Sequence, residues 1–419
     1  GLDSSSIVCM ARRLQRSAQD TPLHAFSLVF PSLPQQDRVL IDERRHIDSV
    51  GRSAEVQAVA VRGDLLSPVA GVDELLAALD EPYLAPNLYL HQAMYRSARD
   101  AGVRVFLDGF DGDTTVSHGF GRLCALVQEG RWSEFEAELR ATAGNRAVSP
   151  ATLLAYFGRP YLRTLARRGD WRGWLGAARE LRRRFRLSFR ELLVRDGFAA
   201  SAPRVVDGVR RHLARRDARA RSLLRAPLLR DLRRHSAAAE DPDIEATLSE
   251  RAAHAAALDR PAYQLTLEMA DKCAASFGVE ARYPFFDRRL IEFCLALPDE
   301  QKLDGGWTRL VLRRAMAGIL PPDVQWRPDK GNLSPNFHRA LRSSAAIRFD
   351  RESLAALEPY VDIDALRDLA DGYARAERTL ARAEDGHTLF RAVVLSRWLA
   401  RRDSNAPAGP RAPPSSVAA

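Results

Sequence analysis

Apolar positions in the first quarter of the chain change period several times. Ile7, Met10, Ala11 and Leu14 recur at i, i+3, i+4 and i+7, the spacing of one helix face. Ser4, Ser5 and Ser6 fall in the first turn of that helix, where hydroxyls are expected to cap free N–H groups. His24–Phe30 is a short β-rich run that Pro31 and Pro34 break. Asp42–Gly51 reads as a helix and Val56–Val61 as a second strand. Leu88–Ala101 reads as a helix ended by Gly102, followed by an apolar strand over Val103–Leu107. Strands and helices alternating at this spacing predict an α/β fold, a parallel sheet with crossover helices. From 117 to 260 the β-branched runs thin out and Arg, Ala and Leu dominate, which predicts several helices. A further helix is expected over 264–277, and more from Arg309 to about Arg402. Asp403–Ala419, rich in Pro, Ala, Ser and Gly, is expected to be disordered.

Composition adds bounds. The chain has 419 residues, 46% hydrophobic and 28% charged, which excludes a fibrous, purely coiled-coil or globally disordered protein. No apolar run reaches the roughly 18 residues of a membrane span. Four cysteines are scattered and never form CxxC, which argues against a disulfide framework or zinc site and for a reducing, cytoplasmic setting. The first residue is Gly, and no signal peptide is read ahead of the first helix.

The net charge of +9 is unevenly placed: residues 158–235 hold 23 arginines against seven acids. That block could offer a face to an acidic partner, or could be a set of solvated helices in an Arg-biased protein. Few aromatics interleave with the arginines, which argues against nucleic acid. Lysine is rare by contrast, with only Lys272, Lys302 and Lys330. A lysine kept against such a bias is a candidate for work that needs a compact ammonium.

Four segments carry candidate chemistry. The opening GLDSSS combines a glycine turn, hydroxyls and helix N-terminal N–H groups, a cradle for an anion. Asp3 within it repels phosphate unless a divalent cation bridges the two. Read plainly, the same string is a helix start. Leu107–Asp113 (LDGFDGD) follows a strand and holds three aspartates and two glycines, a loop suited to Mg²⁺ or simply an Asp/Gly turn. The third segment is GVEARYPFFD (278–287), where Glu280 and Arg282 could pair with each other. The fourth is WRPDKG (326–331), where Lys330 could be a plain surface lysine. Walker, zincin, nucleophile-elbow and dinucleotide motifs are missing, and the nine histidines show no metal-ligand spacing.

In order, these segments resemble the landmarks of the asparagine synthetase family. GLDSSS is similar to the end of that family's SGGLDSS pyrophosphate loop. Asp80-Glu81-Pro82, DGFDGD, GVEARYPFFD, Leu295–Pro298 (LALP) and RPDKG follow as they do there. The resemblance covers residues 1–115 and about 264–340 and leaves the Arg-rich block without a motif. It implies an ATP pyrophosphatase core (PP-loop, adenine nucleotide alpha hydrolase-like) over 1–116 and a helical insertion over 117–260. A helical synthetase part over 261–402 and a tail over 403–419 complete the division. It implies ATP and Mg²⁺, adenylation of a carboxylate, release of pyrophosphate and amide formation by an amine. By position, Asp3 and Asp113 match the Mg²⁺–pyrophosphate carboxylates, and Ser4 and Ser5 the phosphate-holding loop. Leu28, Asp108 and Gly109 match the adenine and ribose contacts, while Lys330 and Glu280 match active-site groups.

Two positions depart from the family. Phe110 stands where asparagine synthetases carry the Glu that handles the proton of ammonia, and Thr114 replaces the Glu after Asp113. Both put free ammonia, and aspartate as acceptor, in question. The wording FFDRRLIEFCLALP…GWTR…WRPDKG is closer to lasso-peptide macrolactam cyclases, which join a precursor-peptide Asp or Glu side chain to the peptide's own N-terminal amine. The family's glutaminase domain and first loop residues are expected outside this sequence. A contrasting expectation is a decayed or truncated synthetase that serves as a binding module through its basic helices.

Overall fold

The computed structural model describes residues 1–15, 22–201, 223–235, 249–375 and 383–405. Helix α1 (Leu2–Gln15) opens the chain. Strand β1 (His24–Val29) pairs in parallel with β2 (Gln57–Arg62), in register from His24 opposite Gln57 to Val29 opposite Arg62. Helices α2 (Gln35–Ile41) and α3 (Arg44–Ala54) lie in the crossover between them. Helices α4 (Val72–Leu79) and α5 (Leu88–Asp100) then lead to β3 (Val105–Leu107). Strand β3 pairs in parallel with β4 (Glu280–Arg282), so in sequence the Arg-rich block falls between two strands that are neighbours in space. The expected parallel α/β layout is present as two strand pairs. Phe106 of β3 joins them, 5.7 Å from Phe26 of β1 and edge-on to Tyr95 of α5 at 5.3 Å (ring centroids).

Local chemistry explains the boundaries. Gly102 stops α5 at φ 73°, and the Val103 N–H reaches back to the Ala98 carbonyl at 2.9 Å. Val103 is thereby part of the helix stop, which is why β3 begins at Val105 and not at Val103. Pro261 fits the first helical turn, where no N–H is needed, so the helix expected from 264 starts at Pro261 and runs to Ala275. The serines of α1 correct the capping expectation. Ser6 Oγ donates to the Leu2 carbonyl (2.8 Å) and Ser4 Oγ to the Gly1 carbonyl (3.5 Å), so neither caps an N–H. The helix already begins at Leu2, which places the hydroxyls inside it, facing carbonyls one turn back. A hairpin that the pattern did not predict, β5 (Leu303–Asp304) with β6 (Trp307–Thr308), turns through Gly305 and Gly306 at φ 56° and 79°.

The largest core joins α4, α5 and the helix Pro261–Ala275 to the C-terminal helices, with Tyr95, Phe337 and Phe390 fully enclosed. A second core lies within the helices of 121–201 around Trp174, whose Nε1–H donates to the Asp196 carbonyl at 3.2 Å. Among the described arginines of this block most are exposed, and three turn inward or sideways. Arg159 and Arg163 grip the buried Asp196 carboxylate, and Arg184 bridges Glu136 and Glu180. The final helix runs Ala383–Asn405, and residues 406–419 of the expected disordered tail lie outside the described residues. All four cysteines are free and buried. Among the described residues no helix is long and apolar enough to cross a membrane.

Candidate active site

The carboxyl end of β3 feeds a loop that can lie only where it does because two of its residues have no side chain. The Asp108 N–H donates to the Arg282 carbonyl at 2.8 Å, which extends the β3–β4 pairing one step. A Cβ on Gly109 would stand 2.6 Å from the Ser4 nitrogen, and one on Gly112 would stand 2.9 Å from the Asp3 Cγ. Both distances are below any contact a real Cβ makes, so the loop is pressed against the first turn of α1. Asp111 takes the left-handed conformation (φ 54°) and starts the short helix α6, Gly112–Thr115.

This contact unites residues far apart in sequence. The buried Asp3 carboxylate receives Arg309 Nη1 at 2.7 Å on each oxygen. Asp113 Oδ2 lies 3.2 Å from Lys330 Nζ and 3.6 Å from His118 Nε2. The facing His118, with Lys330 and Arg309 nearby, holds the Asp113 carboxyl far below the usual range despite burial. Its neighbour Asp111 goes the other way, pushed up to about 6 by burial and by the Asp113 charge. Burial, assisted by Arg309 and Arg146, lowers His118 against the pull of Asp113. The loop bearing Lys330 is fixed from beneath: Glu43 accepts from Arg327 Nη1 (2.6 Å) and from the Gly331 N–H (3.1 Å).

The other expected residues lie around this cluster or apart from it. Ser4 is exposed and Ser5 buried, both on the turn that Gly109 touches. Asp108 lies 3.4 Å from His91 Nδ1 of α5; burial disfavours the imidazolium, yet the carboxylate outweighs it and raises His91. Leu28, near the carboxyl end of β1 and opposite Val61, is half-buried in the core. Glu280 is exposed on β4 and its carboxylate pairs with Arg282 at 2.7 Å, the alternative its residue types allowed. It makes no bond to Asp3, Asp113, Lys330, Arg309 or His118. Phe110 meets Tyr283 and Phe286 with ring centroids 6.2 Å apart in both cases, while Thr114 Oγ1 and the Tyr263 hydroxyl are 2.9 Å apart.

Sequence reasoning did not single out Arg309, His118 or Glu43. Arg309 ends the GWTR string, and its left-handed backbone (φ 52°) turns it into the site. His118 lies five residues after Asp113, a nearness that hindsight alone makes a signal.

The family described as Asparagine synthase matches residues 1–400 of this chain. Among individual proteins, asparagine synthetase [glutamine-hydrolyzing] 3 of Bacillus subtilis is 36% identical over 72 residues, 17% of this chain and 11% of that protein. Asparagine synthetase [glutamine-hydrolyzing] of Gallus gallus is 32% identical over 93 residues, 22% of this chain and 16% of that protein. The aligned stretches thus span only a small part of those relatives' length.

Proposed function

Because the chain belongs to the asparagine synthase family, we propose that it is an ATP-dependent, AMP-forming amide ligase with a PP-loop core. The observation that carries this reading is the seating of Asp3 against the loop that presents Asp113, with Arg309 and Lys330 on the two carboxylates. Asp3 and Asp113 would hold a magnesium ion once Arg309 and Lys330 yield their oxygens, since Gly112 seats the two acidic segments together. Among the described residues no three His, Cys, Asp or Glu side chains form a self-sufficient metal cage. Magnesium here would complete its shell from water and substrate phosphates, its usual habit, and would supply neutralising charge to the pyrophosphate.

The chain's own residues then divide the work. Ser4, Ser5 and the glycine-lined turn hold the phosphates, and Leu28, Asp108 and Gly109 meet the adenine and ribose. The substrate carboxylate attacks the α-phosphorus, giving an acyl-adenylate and pyrophosphate. Negative charge gathers on the phosphoryl oxygens during that step, and Lys330 is an ammonium placed to meet it. Glu280, exposed beside Arg282, serves at the acceptor side of this reading.

The amine is better held than free. Phe110 cannot take a proton, and it and Thr114 are engaged with Tyr283, Phe286 and Tyr263. An amine already tethered to the substrate, such as a peptide N-terminus attacking its own activated side chain, needs less help because orientation lowers the barrier. This favours a macrolactam-type closure over ammonia from a glutaminase partner acting on aspartate.

Exchange of labelled pyrophosphate into ATP, with Mg²⁺ and a carboxylate substrate, tests the reading. Asp113→Asn and Lys330→Ala should each lower exchange by roughly 10²–10³-fold. Normal exchange in both variants would overturn the assignment. AMP release would dismiss the contrasting picture of a binding module without activity.

A further inference from the structure

Residues 115–121 connect Asp113 to the next helix, α7 (Gly121–Gln128), and are shaped from outside. Ser117 is left-handed at φ 70°, a conformation a serine does not choose by itself. Three bonds from the helix Glu250–Leu258 hold the segment. Ser117 Oγ donates to Glu250 Oε1 (2.6 Å), the Gly121 N–H donates to Glu250 Oε2 (2.7 Å), and His254 Nε2 lies 3.1 Å from the Thr115 carbonyl. From the other side, Lys302 Nζ stands 3.6 Å from Glu250 Oε1 and 3.2 Å from His254 Nδ1. Lys302, Glu250 and His254 are 0%, 2% and 3% exposed. A Cβ on Gly119 would fall 2.8 Å from the Leu303 nitrogen, so the segment is clamped between this trio and β5. The clamped stretch contains His118, which faces Asp113.

We infer that Glu250 is a positioning residue: with Lys302 and His254 it fixes the turn that carries His118 and Asp113 to the pyrophosphate position. This rests on the ligase reading above, since it presupposes that Asp113 serves the pyrophosphate. Glu250 touches no residue of the carboxylate cluster directly and acts through Ser117 and Gly121. A buried ion pair is costly, and here both carboxylate oxygens bond one strained turn.

Calorimetric titration with two probes, inorganic pyrophosphate with Mg²⁺ and AMP, separates positioning from general support. Glu250→Gln and Ser117→Ala should each weaken pyrophosphate binding roughly tenfold, as loss of an outer partner of a ligating carboxylate does. Both should leave AMP binding within about twofold. Asp196→Asn removes a buried carboxylate that pairs with Arg159 and Arg163 in the other core and bonds nothing in this turn, and it should leave both ligands within about twofold. If Glu250→Gln does not fold, Ser117→Ala carries the test. Wild-type pyrophosphate affinity in the folded variants, or an equal loss of AMP affinity, overturns the inference. Asp113→Asn tells the two levels apart. If it keeps pyrophosphate binding, the site reading falls and the inference with it. If it loses binding while Ser117→Ala and Glu250→Gln do not, only the positioning role falls.

Discussion

Acid should loosen this protein through His254 before most carboxylates titrate. The imidazole is 3% exposed, donates from Nε2 to the Thr115 carbonyl and accepts from Lys302 at Nδ1, so both nitrogens are committed to the neutral tautomer. Burial, then the Lys302 charge, takes its pKa from 6.5 to about 4. Between those values the unfolded chain binds a proton that the folded chain refuses, so stability rises with pH across that window. At about 1.4 kcal/mol per pKa unit, the group contributes about 3 kcal/mol near neutral pH, lost as pH falls from 6.5 and gone below about 4. Glu250 runs in the opposite direction, because burial raises its carboxyl, so the wild-type slope alone mixes two signs. His254→Gln removes the titration and keeps a donor for Thr115. Urea unfolding of both proteins, followed by tryptophan fluorescence from about pH 7 to about pH 4.5, reads the difference. The variant should be the less stable protein at neutral pH, and the gap should close by about 2 kcal/mol across that range. Parallel pH profiles would refute the claim that the fold excludes the imidazolium.

Other expectations follow from single contacts. Gly112→Ala puts a methyl 2.9 Å from the Asp3 Cγ and should cost about 1–3 kcal/mol by thermal unfolding while weakening Mg²⁺–pyrophosphate binding. Arg309→Met strands the buried Asp3 carboxylate and should destabilise by about 3–5 kcal/mol in urea, with Arg309→Lys recovering part of the loss. Trp174→Ala empties the centre of the second core and should cost about 3–5 kcal/mol, visible as a lost near-ultraviolet signal and a lower unfolding midpoint.

Periodicity and punctuation carried the fold where local physics dominates. The i, i+3, i+4, i+7 face of α1, the proline break after β1 and the glycine stop of α5 each have one local cause, and each stands within a few residues of expectation. The shortfalls are local as well. Ser6 binds a carbonyl where a cap was expected because the helix starts one turn earlier than its apolar stripe. Helices α2 and α4 were not predicted: α2 has only seven residues, too few for a period to repeat.

The site was legible to the extent that its residues sit in runs of unusual composition, and the rest depended on long-range contact. Three aspartates and two glycines after a strand stand out in any reading, and so does a lysine in a chain that uses arginine. Glu43, Arg309 and Glu250 lie in ordinary helical or turn sequence. What distinguishes them is partners 284 residues away for Glu43 and Arg327, 306 for Asp3 and Arg309, and 133 for Ser117 and Glu250. No periodicity encodes such pairs, because each depends on how the helices around 250 and 310 return to the carboxyl end of β3. The same logic explains Glu280 and Arg282, which the sequence left open between a local pair and a site role. Residues two apart on a strand face the same way, so their mutual pairing comes without any tertiary requirement. A catalytic part for Glu280 requires that this pair open when a substrate arrives. Arg282→Ala is therefore the sharper probe: it frees the carboxylate, and it should leave exchange intact if the pair is only structural.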